Sequence, residues 1–135
     1  MTSPLAKIDV SRTEIEQVVA VFYAAIREHP NLGPVFRAHI TDWPPHETKI
    51  VRFWANALLG ERAYDGNPLQ VHRRAGNVRP GMFETWLALF DSVLKAELSP
   101  EKAAAWSQIA HRIGRSLRAG MVEKTKAPDG IPLLR

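Results

Sequence analysis

Apolar residues recur along this chain at spacings of three and four, and almost nowhere at two. In SRTEIEQVVAVFYAAIREHP, Ile15, Val18, Val19, Phe22, Tyr23 and Ile26 line up as one stripe of a helix. Ser11 with Glu14 has the spacing of a capping box at its start, and Pro30 ends it. NLGPVFRAHI is interrupted by Gly33 and Pro34 and reads as a tight connection containing a short helical turn. TDWPPHETKIVRFWANALLG starts at Thr41 or Asp42, takes its prolines in the first turn and stops at Gly60. His46, Ile50, Phe53, Trp54 and Ala57 share one face of that helix.

The pattern then loosens. ERAYDGNP is a loop with turn chemistry at Asp65-Gly66, after which Asn67 and Pro68 open a short helix, PLQVHRRA. Leu69 and His72 are three apart and lie on one side of it. AGNVRPG is a second loop. MFETWLALFDSVLKAEL carries Phe83, Trp86, Phe90, Val93 and Leu94 at helical spacing. Ser99-Pro100 starts the last helix, with Trp106, Ile109, Ala110, Ile113, Leu117 and Met121 as its stripe. The pattern predicts an all-α single domain over residues 1–135, with five or six helices, a core spanning about 11–125 and a loose tail at 126–135.

Composition narrows the chemistry. The absence of cysteine excludes disulfides, thiolate metal sites and cysteine nucleophiles. MTSPLAKIDV has no basic-then-apolar leader pattern, and no apolar run approaches the ~18 residues of a membrane span, so a cytoplasmic protein is expected. The formal charge of +4 admits an acidic partner but is of ordinary size for solubility. Arg112, Arg115 and Arg118 form a basic row on the last helix. His46-Glu47 lacks a second histidine at zinc-site spacing, and neither a nucleophile elbow nor a glycine-rich phosphate loop occurs.

Three residues depart from plain core filling. His46 opens an apolar face, and Tyr23 and Trp86 stand inside apolar stripes although O–H and N–H groups need partners when buried. Each has a bland reading: a solvated first-turn histidine, a core tyrosine bonded to a carbonyl, a core tryptophan. His72, taken alone, reads equally as a solvated histidine at a helix end. Convergence of the first three would instead place a small polar cluster in an apolar pocket, suited to an apolar ligand with one polar reactive point. Haem is such a ligand, needing apolar walls, one axial nitrogen and cations or water at its propionate rim.

Four separated segments, VFYAAIREHPNLGPVF, WPPHETKIVRFWANALLG, YDGNPLQVH and FETWLALF, resemble in order and spacing the group III truncated haemoglobins. The resemblance covers residues 11 to 121. It implies a shortened globin fold, a two-over-two helical sandwich around haem b. It implies His72 as proximal iron ligand, with Tyr23, Trp86 and His46 on the distal side, His46 gating access from solvent. Phe36, Ile50, Phe53, Trp54 and Leu69 would line the pocket, while Lys49, Arg73 and Arg79, beside Arg74, would stand near the propionates. Two features depart from the family: Pro44 and Pro45 directly before His46, and the basic loop RRAGNVRP after His72.

The implied function is binding of oxygen, carbon monoxide and nitric oxide at the iron. Several donors aimed at one ligand favour redox chemistry or scavenging, such as nitric oxide dioxygenation or peroxide chemistry, over delivery. No flavin or nicotinamide motif is visible, so turnover implies a separate reductase. Oxygen storage, transport and gas sensing remain alternatives. A haem-free helical module binding nucleic acid through the basic row is the competing class, and neither a nucleic-acid nor a membrane partner is expected.

Overall fold

Ser11 starts the first helix as its sequence requires: its Oγ accepts from the Glu14 amide at 3.0 Å, and Glu14 Oε1 accepts from the Ser11 amide at 2.9 Å. The protein's structure is a computed structural model that describes residues 8–60 and 81–126, the last six by backbone only. Five helices lie within those residues: α1 (Arg12–Glu28), α2 (Leu32–His39), α3 (Trp43–Leu59), α4 (Met82–Glu97) and α5 (Pro100–Lys126). The described residues contain no strand. The expected short helix around His72 and the tail from 127 lie outside them.

The segment read as a connection with one helical turn is a full helix, α2. Two local devices explain the difference. His29 Nδ1 accepts from the amides of both Asn31 and Leu32 at 3.1 Å, and the Gly33 amide bonds the His29 carbonyl at 2.9 Å. Pro34 falls in the first turn, where a missing donor costs nothing. Gly33 itself is needed for close approach, since a Cβ there would stand 3.1 Å from the carbonyl oxygens of Ile26 and Arg27.

Helix α3 ends at Gly60, whose φ of 72° favours a residue without a side chain. At its other end Asp42 occupies the N-cap position but makes no side-chain capping bond. Helix α1 packs on α2, α3 and α4, and α4 packs on α5. Lys102 at the start of α5 reaches both oxygens of Glu14 at 3.0 and 3.1 Å. The Ser11 amide and then Lys102 outweigh burial and hold that carboxyl below its ordinary range.

The apolar arcs are wider than one stripe. On α3 the core takes Val51, Trp54, Ala55, Leu58 and Leu59, while Ile50, Phe53 and Ala57 are only half-buried at its edge. On α4 the core takes Phe83, Leu87, Phe90, Val93 and Leu94, and Trp86 is half-buried. On α5, Ala103, Trp106 and Ala110 are buried while Ile109 and Ile113 sit at the margin. Gly114 lets α4 come close, because a Cβ there would meet Leu87 Cδ1 at 2.9 Å.

Phe90 is the centre. Trp86 stacks on it at 5.0 Å and 13°, Trp54 stacks at 5.4 Å and 12°, and Phe22 and Trp106 meet it edge-on. Rings from α1, α3, α4 and α5 thus share one side chain. Phe90→Ala is expected to cost about 3–5 kcal/mol. A fall in the urea midpoint without loss of cooperativity would report that cost; a change under about 1 kcal/mol would show that the stack is not central.

Candidate functional site: the Tyr23–His46 pocket wall

Adjacent residues of α1 serve two environments. Phe22 turns into the ring cluster around Phe90, and Tyr23 faces a second cluster made by α2 and the start of α3. Tyr23 is 3% exposed. Its ring meets His46 edge-on at 5.1 Å and 86°, Phe36 at 5.9 Å and Trp43 at 6.1 Å. Burial, and then the Glu47 carboxylate, push the phenol far above its ordinary pKa, so Tyr23 stays neutral and keeps its donor proton.

His46 lies within the same cluster, 6.2 Å from Trp43 between ring centroids. Burial first, and the Lys49 ammonium second, hold its pKa below the ordinary 6.5, so the imidazole is neutral at pH 7. Its Nε2 is buried and has no hydrogen-bond partner. A buried polar atom left unsatisfied costs about 1–3 kcal/mol, so it needs an explanation. Among the described residues Trp106 Nε1 is the other such atom, and it lies deep among Trp54 and Phe90. Only His46 shares its surroundings with a buried tyrosine and half-buried apolar side chains.

Trp86 joins this wall through Phe22, whose ring stands edge-on to Tyr23 at 5.3 Å and to Trp86 at 5.1 Å. Phe36, Ile50 and Phe53 are half-buried at the core margin, with Met82 and Leu89 of α4 in the same condition. Trp54 sits deeper, 2% exposed, with its ring against Phe90. Lys49 is exposed. His72, Leu69, Arg73, Arg74 and Arg79 lie outside the described residues, so the proximal side is not part of this geometry. The described residues hold no cluster of metal-binding side chains, and no described helix is long and apolar enough to cross a membrane.

The structure adds residues that the sequence reading passed over. The Arg27 guanidinium stands over the Trp43 ring, 4.7 Å from its centroid, and its Nη2 is 3.5 Å from Glu47 Oε2. Arg27 is one turn beyond Tyr23, and Trp43 and Glu47 are four apart around His46, a spacing that could have flagged them. His29 caps α2, which its sequence context did not announce. Asp91 accepts from Ser107 Oγ at 2.7 Å and pairs with His111 Nε2 at 2.7 Å, tying α4 to α5. Ser107 and His111 both bond the carboxylate and not each other, so this is a tie between helices and not a nucleophile with its base.

These residues suit a flat, largely apolar cofactor carrying a ligand. Half-buried apolar side chains on α2, α3 and α4 provide walls, and a neutral phenol and a partnerless imidazole nitrogen provide polar contacts. Comparison with known proteins gives the class. The bacterial-like globin family matches residues 7–117. The group 3 truncated hemoglobin ctb of Campylobacter jejuni is 34% identical over 96 residues, covering 68% of this chain and 76% of that protein. The crystal structure of group III truncated hemoglobin from Campylobacter jejuni superposes with a TM-score of 0.79 at 30% identity, covering 90% of this chain and 95% of that one. The chain belongs to the bacterial-like globins, among the group III truncated haemoglobins. The all-α expectation and the truncated globin fold are thereby borne out, and membership carries haem-dependent binding of diatomic ligands with it.

His46 also gives a pH dependence. Because its folded pKa is lowered, the unfolded chain binds more protons as pH falls below about 6.5. Its contribution is therefore intact above that pH and lost as pH drops toward the lowered folded value. Denaturant midpoints of the wild type should fall more steeply between about pH 7.5 and 5.5 than those of His46→Leu. Parallel profiles would show that His46 does not titrate in a buried place.

Proposed function

We propose that the chain is a haem b protein in which His72 is the proximal ligand, Tyr23, Trp86 and His46 face the distal ligand, and the activity is redox chemistry on small ligands. The observation that carries this reading is the distal wall: a buried tyrosine that keeps its proton, beside a neutral histidine whose buried Nε2 has no partner. Held by His72, haem would supply an iron centre for ligand binding and redox chemistry.

The chain's own residues do the rest. Tyr23 donates a hydrogen bond to a ligand acquiring negative charge, and its raised pKa keeps it from ionising at that moment. His46 offers a second polar contact and, at the start of α3, gates access from solvent. Phe36, Ile50, Phe53 and Leu69 would exclude water from the ring, and Lys49, Arg73 and Arg79 would pair the propionates by charge-assisted bonds. Strong donation slows ligand release, which favours oxygenation of nitric oxide to nitrate over delivery. That reaction combines nitric oxide, oxygen and one electron, so a separate reductase must supply the electron. The expected location is the cytoplasm.

Two measurements test the reading. The dithionite-reduced protein should show a sharp Soret band that shifts with carbon monoxide, and His72→Ala should weaken it or lose haem. A chain that takes up no haem when supplied with hemin would remove the proposal. Tyr23→Phe should raise the oxygen dissociation rate about 10- to 100-fold, the worth of a charge-assisted hydrogen bond of roughly 1.5–3 kcal/mol. An unchanged rate would take Tyr23 out of the distal site, and nitrate formation no faster than with free haem would leave storage, transport or sensing.

A further inference from the structure

The first turn of α3 carries His46 but is poorly secured by its own sequence. Asp42 makes no side-chain capping bond, and Pro44 and Pro45 have no amide protons to contribute. The local tie there is Thr48 Oγ1 donating to the Pro44 carbonyl at 3.0 Å, a bond within the helix that does not fix its place against α1.

That place is fixed from across the interface. Arg27, near the end of α1, lays its guanidinium on Trp43 at 4.7 Å and sets Nη2 3.5 Å from Glu47 Oε2. Trp43 precedes His46 by three residues and Glu47 follows it by one, so the clamp brackets the imidazole along the helix. Both partners are partly shielded, with side-chain exposures of 35% for Arg27 and 22% for Glu47. The anchor for Arg27 is firm as well: Arg37 Nη1 of α2 donates to its carbonyl at 2.7 Å. The extended guanidinium matters here, because a compact ammonium is less suited to covering an indole and reaching a carboxylate to one side at once.

We propose that Arg27 is a positioning residue for the distal site, and that its clamp on Trp43 and Glu47 sets how much of the time His46 stays against Tyr23. This rests on the haem reading for its consequence in ligand binding, but the clamp itself concerns the chain alone. Releasing it shifts the balance of pocket-facing and solvent-facing His46 by about fivefold, or about 1 kcal/mol.

The test uses Arg27→Met, which keeps the apolar stem without the charge, Arg27→Lys, and Glu47→Gln as a milder variant should Arg27→Met fail to fold. The direct readout is the proton nuclear Overhauser contact between the His46 and Tyr23 rings. It is recorded on the diamagnetic carbon monoxide form, or on the chain as purified if it carries no haem. The contact should be strong in the wild type, weak in Arg27→Met and intermediate in Arg27→Lys and Glu47→Gln. The second readout is the carbon monoxide association rate. Arg27→Met should change it about fivefold alone and not at all on a His46→Ala background. An undiminished ring contact, or an equal rate change with and without His46, would overturn the clamp. Failure to bind hemin would instead overturn the haem reading and leave the ring-contact test standing.

Discussion

The stacking of Trp86 and Trp54 on Phe90 is the constraint on which the rest of the architecture depends. A phenyl ring with no exposed surface joins α4 to α3 through the near-parallel Trp54 contact, while Trp86, one turn earlier on α4, stacks on it from its own helix. Phe22 and Trp106 close its edges from α1 and α5. Offset and edge-on ring pairs add about 0.5–1.5 kcal/mol each beyond their buried area, and they are directional. Because Phe22 is locked in this cluster, its neighbour Tyr23 has one available direction, toward Phe36, Trp43 and His46. The core therefore aims Tyr23.

The two sides of that boundary have different chemistry. On the core side, apolar side chains are fully buried and satisfy one another, with the Trp106 indole nitrogen as the one orphan atom among the described residues there. On the other side, half-buried apolar residues adjoin a buried tyrosine and a histidine whose Nε2 has no partner. Desolvation acts on both titratable members in the same sense, favouring the neutral phenol and the neutral imidazole. A site of this kind donates hydrogen bonds without presenting a fixed charge, which suits uncharged diatomic ligands that become polarised only once held.

Much of this was legible in the sequence, for identifiable reasons. Helix starts and stops at Ser11, Gly60 and Ser99-Pro100 follow from capping chemistry that depends on neighbouring residues alone. The departures of Tyr23, His46 and Trp86 from apolar stripes were visible because period and polarity conflict at those positions. The division of each apolar arc into a core half and a margin half was not. Ile50 and Val51 are equally apolar, and which of them is buried depends on how α1 meets α3. Helix α2 was underestimated because its cap is a histidine, a residue type without a strong capping signature. Arg27 was passed over because its partners lie sixteen and twenty residues along the chain, and pairing at that range follows from tertiary structure.

The distribution of indoles divides the molecule optically. Three of the four tryptophans, Trp54, Trp86 and Trp106, have their rings against Phe90, and Trp54 meets Trp106 directly at 5.4 Å. Rings this close would respond together, so their emission would report the integrity of the core as one cluster. Trp43 stands apart under the Arg27 guanidinium, next to His46. A signal that changes at Trp43 while the Phe90 cluster stays silent is thus local to the surroundings of Tyr23 and His46, and the chain carries its own probe for events there.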